Sequence, residues 1–127
     1  MEVTTHRGQG PLQQVIEIGP HRLVTDVAPE LGGEGSGPEP HDLLAAALAA
    51  CTTLTVSLYA KRKGYRLDEV QVTIRHGQEG AAYALHRSIR YLGLLSEEEK
   101  QRLTDIANKC PVHKTLSGQI QITTEAE

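Results

Sequence analysis

Gly33-Glu34-Gly35-Ser36-Gly37-Pro38-Glu39-Pro40-His41-Asp42-Leu43-Leu44-Ala45-Ala46-Ala47-Leu48-Ala49-Ala50-Cys51-Thr52 decides the fold. It opens as a loop, because Gly and Pro crowd the stretch from Pro29 to Pro40 and prevent regular structure there. It then turns abruptly apolar. Pro38 and Pro40 suit a helix entrance, since a proline in the first turn gives up no intrahelical hydrogen bond. Asp42 favours the positive end of the helix dipole. Lys61, Arg62 and Lys63 favour the negative end, and Gly64 is a natural stop. The pattern predicts a long helix from about His41 to Lys63. It is apolar nearly all round, so it is expected to be the central, buried element.

Leu43 to Ala60 carries no charged residue, long enough to test against a membrane span. The run is rich in Ala and is interrupted by Cys51, Thr52, Thr53, Thr55 and Ser57. Its hydropathy suits a helix covered by protein better than one in lipid. The N-terminus lacks a basic segment followed by an apolar stretch, so the expected compartment is the cytoplasm.

Outward from the helix, short strands are expected on both sides. Residues 1–26 read as strands, with Gln14 to Ile18 and His21 to Val27 separated by a Gly19-Pro20 turn. Val70, Val72 and Ile74 alternate with polar residues, and Tyr83 to Leu92 returns after a turn at Gly77 to Gly80. Ser96 and Glu99 form a capping-box pattern for a second helix, with Leu103, Ile106 and Ala107 on its apolar face. That helix ends near Asn108-Lys109. Cys110-Pro111 opens a third, short helical turn. Ile120 and Ile122 alternate with Gln119, Gln121 and Thr123 in an expected final strand. The order strands, helix, strands, helices, strand gives an α+β class.

The 127 residues predict a single domain over 1–127. There is no Trp and no Phe, so aliphatic residues and four Tyr must fill the interior. So lean an aromatic content points to a second subunit completing the core. The formal charge of −3 gives no basic field for nucleic acid.

The chemistry rests on two cysteines. In a reducing compartment they are inert thiols or redox-active ones, rather than a permanent structural bridge. Cys51 lies too deep in its helix for the N-terminal dipole to help, and apolar burial would raise its pKa. To react it needs a cation from another segment. Cys110 sits at an expected N-cap beside Lys109, His113 and Lys114, so by local position it is the more readily ionised of the two.

The run from Gly33 to Thr52, together with Cys110-Pro111-Val112-His113-Lys114-Thr115-Leu116, resembles the two signatures of the OsmC/Ohr family of hydroperoxide reductases. The resemblance extends over nearly the whole chain in element order. It implies an α+β OsmC-like fold, with antiparallel sheets around a long central helix, in an intertwined homodimer with sites at the subunit interface. It also implies that Cys51 is the peroxidatic nucleophile and Cys110 the resolving thiol. The substrate would be an organic hydroperoxide or H2O2, and the reductant a dithiol such as a lipoylated protein. No cofactor and no metal are implied.

In the Ohr branch an Arg from the N-terminal strands contacts the thiolate. Arg7 matches best by position, and Arg22 is second. That branch also carries a Glu ten residues before the first Cys, where this chain has His41, with Asp42 and Glu39 beside it. This departure supports an alternative: a small-molecule-binding or redox-sensing protein on the same fold. The Cys110-x-x-His113 spacing, completed by Cys51 and His41, is weak as a metal set. No Gly-Lys-Ser/Thr follows the glycines, which argues against a nucleotide site.

Overall fold

The computed structural model describes all residues, 1–127. Its elements are β1 (Val3–Arg7), β2 (Gln14–Ile18), β3 (His21–Thr25), α1 (Pro40–Lys63), β4 (Arg66–Glu79), β5 (Ala82–Leu94), α2 (Glu97–Ala107) and α3 (Pro111–Ser117). Contacts gather in two compact units, Met1–Leu44 and Ala45–Glu127.

In the N-terminal unit, β1, β2 and β3 form an antiparallel meander. Gly19 takes a positive φ of 57° in the β2–β3 turn. The Gly-rich loop folds around a residue that the sequence pattern does not advertise, Asp26. Its carboxylate is 4% exposed. It accepts from Val27 N–H at 2.8 Å, Ser36 N–H at 3.0 Å and the Ser36 hydroxyl at 2.5 Å. Glu34 N–H adds a longer bond at 3.3 Å. Gly33 is required beside it, because a Cβ there would stand 2.2 Å from the Val27 carbonyl oxygen and 2.7 Å from Asp26 Oδ1.

The Ser36 hydroxyl is the main cause that holds the Asp26 carboxyl down to about 2, helped by the Ser36 and Val27 amides against its own burial. A pKa lower in the folded than in the unfolded chain stabilises the fold above the unfolded value and is lost as pH falls through the folded one. Acid unfolding should therefore be steeper between about pH 4 and pH 2 in the wild type than in Asp26→Asn. Parallel titration curves of the two proteins would refute the assignment.

In the C-terminal unit, β4 and β5 form a long antiparallel hairpin. The expected turn at Gly77 to Gly80 is shorter, because Gly77, Gln78 and Glu79 pair with Ala84, Tyr83 and Ala82, which leaves Gly80-Ala81 as the connection. A register shift between Leu67 and Glu69 sets the inward face. Leu67 and Val70 are an odd number of residues apart, so without the extra residue they would point to opposite sides. Opposite the shift, Gly93 has φ 144°, and a Cβ there would meet the Arg66 carbonyl oxygen at 2.1 Å.

Val56, Tyr59 and Ala60 of α1, Val70 of β4, and Leu103 and Ala107 of α2 form the core, with Tyr65, Leu67, Val72, Ile89 and Tyr91 packed around them. α2 begins with the expected capping box. Ser96 Oγ accepts Glu99 N–H at 3.1 Å, and Glu99 Oε1 accepts Ser96 N–H at 2.9 Å.

Two expectations are corrected. α1 is not buried all round: Ala45, Leu48, Thr52, Val56, Tyr59 and Ala60 make one covered stripe, while Leu54 and Leu58 stay more than half exposed. Elements of one chain cover only one side of a helix this apolar. The expected strand at Gln119 to Thr123 is also absent. The segment beyond α3 is in no ladder, and Ile120 and Ile122 are exposed. Alternation prepares a strand but does not supply the edge it must pair with.

Candidate active site

Helix α1 begins with a reciprocal cap in which the Asp42 carboxylate accepts Glu39 N–H at 3.0 Å. Asp42 is thus a capping residue, and His41 is exposed in the same first turn. Three turns further on, Cys51 stands half-buried and Thr52 fully buried. The Thr52 hydroxyl donates to the Leu48 carbonyl at 2.7 Å, as a mid-helix Thr with no other acceptor does.

Cys110 is wholly buried and forms the N-cap of α3, with Pro111 in the first helical position as the sequence indicates. Its sulfur accepts His113 N–H at 3.4 Å. The neighbouring amide, Val112 N–H, donates instead to Cys51 Sγ at 3.5 Å. Consecutive amides of one turn therefore reach the two sulfurs. Both thiols are free, and Thr52 Oγ1 lies 3.9 Å from Cys110 Sγ.

The cation that Cys51 lacks in its own helix comes from β5. Arg87 Nη1 donates to Thr52 Oγ1 at 2.9 Å. Its Nη2 donates to Asn108 Oδ1 at 2.8 Å and to His113 Nδ1 at 3.0 Å. None of these three acceptors is a carboxylate. Burial raises the Cys51 pKa, but the Val112 amide, the Cys110 and Thr55 side chains and the Arg87 charge together outweigh it and bring the thiol below its ordinary value. The fold supplies what position within the helix withholds.

Beside Arg87 lies an open cavity of about 260 Å3. Leu48, Leu85 and Leu116 give it apolar wall, and Tyr83, Arg87, His113 and Ser117 give it polar groups.

The structure brings Cys51 and Cys110 together. The two arginines that the resemblance singled out, Arg7 and Arg22, both lie in the N-terminal unit. Arg7 is exposed on β1, and Arg22 on β3 is ion-paired with Glu17 at 2.8 Å. Arg87, Thr52 and Asn108 escaped the sequence reading. Arg87 did leave a signal. Tyr83, Leu85, Arg87, Ile89 and Tyr91 alternate along one face of β5, and an arginine in that apolar series is out of place unless it serves a partner.

The sequence profile of the family described as OsmC-like protein matches residues 33–125. No curated protein matches the chain in sequence. Among solved structures, the chain is similar to an OsmC-like protein from Mycoplasma pneumoniae, at 21% identity and a TM-score of 0.77, covering 92% of this chain and 86% of that one. It is also similar to an organic hydroperoxide resistance protein, OsmC, from Legionella pneumophila, at 25% identity, TM-score 0.68 and coverages of 92% and 88%. A third likeness is to the organic hydroperoxide resistance protein OhrB of Bacillus subtilis, at 21% identity, TM-score 0.62 and coverages of 92% and 90%.

Proposed function

The chain belongs to the OsmC-like family, and on that premise we propose that it is a thiol-dependent hydroperoxide reductase working through Cys51 and Cys110. The family and its hydroperoxide-resistance neighbours support a role in the response to peroxide or oxidative stress. The observation that carries the finer reading is the arrangement at Cys51. A half-buried thiol on helix α1 is brought below its ordinary pKa by an amide donor, a neighbouring thiol and an arginine on strand β5. A second thiol is capped one residue further along the same turn.

The Cys51 thiolate attacks the distal oxygen of ROOH, and the O–O bond breaks. The alkoxide takes a proton from water and leaves as ROH, and Cys51 is left as the sulfenic acid. The Cys110 sulfur then attacks the Cys51 sulfur, which forms the disulfide and expels the sulfenic oxygen as water. A dithiol, such as a lipoylated protein, returns both residues to thiols by exchange. We assign to Arg87, whose charge favours the Cys51 thiolate, the part that the resemblance implies for Arg7. The apolar wall of the cavity suits an organic R group better than H2O2. We further read the working form as a cytoplasmic homodimer, in which a second copy covers the exposed leucines of α1.

Steady-state assays with excess dithiothreitol should show faster consumption of cumene hydroperoxide than of H2O2. Cys110→Ser should turn over for one cycle and then accumulate Cys51 sulfinic acid, seen as a mass gain of the intact chain. Arg87→Met should lower kcat/KM by about a hundredfold, as expected for loss of a charged group in the transition state, while Arg7→Ala leaves it near wild type. A normal Arg87→Met with a crippled Arg7→Ala would return the role to Arg7. A folded wild type with free thiols and no turnover would favour binding or sensing.

A further inference from the structure

Arg87 is a long, flexible side chain, and its usefulness at Cys51 depends on what holds it. An arginine in such a place is commonly fixed by a carboxylate, which also neutralises it. Here Thr52 fixes one terminal nitrogen, and Asn108 and His113 share the other. Thr52 and Asn108 each have an oxygen acceptor that needs no special state. His113 is different, because an imidazole nitrogen accepts only when it carries no proton. A guanidinium can only donate. The contact at 3.0 Å therefore fixes His113 as the neutral tautomer with its proton on Nε2.

We propose that His113 is a positioning residue for Arg87, whose Nδ1 lone pair holds the guanidinium, un-neutralised, at the Cys51 thiol. His113 is suited to this by its backbone as well as its ring. Its amide donates to Cys110 Sγ, so the ring is carried on the turn that caps the resolving thiol. It is half-buried and lines the same cavity as Arg87. The assignment goes beyond the reductase reading and rests on it for its purpose, although not for its test.

The test measures alkylation of Cys51 in the Cys110→Ser background, where serine preserves an N-cap. Iodoacetate is anionic and iodoacetamide is neutral, so their rate ratio reports the local positive potential without any peroxide chemistry. His113→Leu should lower that ratio roughly fivefold, a fraction of what losing a hydrogen bond to a charged group costs. His113→Asn, whose side-chain oxygen can stand in for Nδ1, should keep most of it. In an Arg87→Met background, His113→Leu should have no further effect.

An unchanged ratio in His113→Leu would overturn the proposal, as would the same loss with Arg87 already removed. Should His113→Leu fail to fold, the ring nitrogens of the wild-type dimer or monomer decide by 15N NMR. An unprotonated Nδ1 and a protonated Nε2 are expected, and the opposite tautomer would overturn the proposal. Absence of peroxidase turnover with these alkylation and NMR results intact would reject the reductase reading alone.

Discussion

If Cys51 is the peroxidatic nucleophile, as proposed, Cys51→Ser is expected to lower hydroperoxide turnover by at least about a thousandfold, the scale on which removing a covalent nucleophile acts. The substitution leaves the surroundings in place. Val112 N–H and Thr55 remain hydrogen-bonding neighbours, and serine differs from cysteine by one atom. What changes is acidity and nucleophilicity. No combination of one amide, one thiol and one guanidinium brings a hydroxyl to ionise near neutral pH, and an alkyl hydroxyl does not displace on peroxide oxygen as a thiolate does. The melting temperature should stay within a few degrees of wild type, because the site is half-buried and the volume change is small. Consumption of cumene hydroperoxide with dithiothreitol, measured beside the melting curve, separates the two effects. Wild-type turnover in a folded Cys51→Ser protein would end the peroxidatic assignment.

Leu103→Ala gives the largest loss of stability. Leu103 is completely buried where α2 meets α1 and the hairpin, among Val56, Tyr59, Val70 and Ala107. Truncating it removes buried apolar surface and leaves a cavity that these elements can close only in part, a cost of about 2–5 kcal/mol. The alanines at 60 and 107 make collapse harder, since they have no side chain to move into the space. The expected result is a midpoint shift in urea with little change in slope. A loss under about 1 kcal/mol would mean that α2 is not cooperative with the hairpin.

The fold was legible where one residue type fixes one conformation. Pro40 with Asp42 marked the start of α1, Ser96 with Glu99 the start of α2, and Cys110-Pro111 the start of α3. Alternation revealed β4 and β5 but not their length. Gly77 reads as a breaker, yet it pairs within the ladder, with Ala84 opposite. The segment Gln119 to Thr123 has the same alternation and no ladder, because pairing depends on a neighbour rather than on the strand itself.

At the site, the two cysteines were legible through their flanking motifs, but their environment was not. Thr52 is an ordinary helical threonine until Arg87 reaches it. Asn108 looks like a helix terminus, which it is, and its side chain holds the guanidinium as well. Asp26 is one acid among sixteen in the sequence, and only the folded Gly-rich loop shows that its carboxylate gathers that loop.

The reach of these contacts along the chain bears on when the thiol becomes chemically competent. Arg87 meets Thr52 across 35 residues, and Val112 meets Cys51 across 61. Helix α1 can form from local interactions, but the donors at Cys51 arrive only when β5, α2 and α3 have docked, and closing loops of that length is the slow part of folding. While the chain is still collapsing, Cys51 is an ordinary thiol in an apolar helix and is mostly protonated at neutral pH. On the proposed reading, the groups that lower the Cys51 pKa come together only in the native state, and alkylation of Cys51 during refolding is expected to report their assembly.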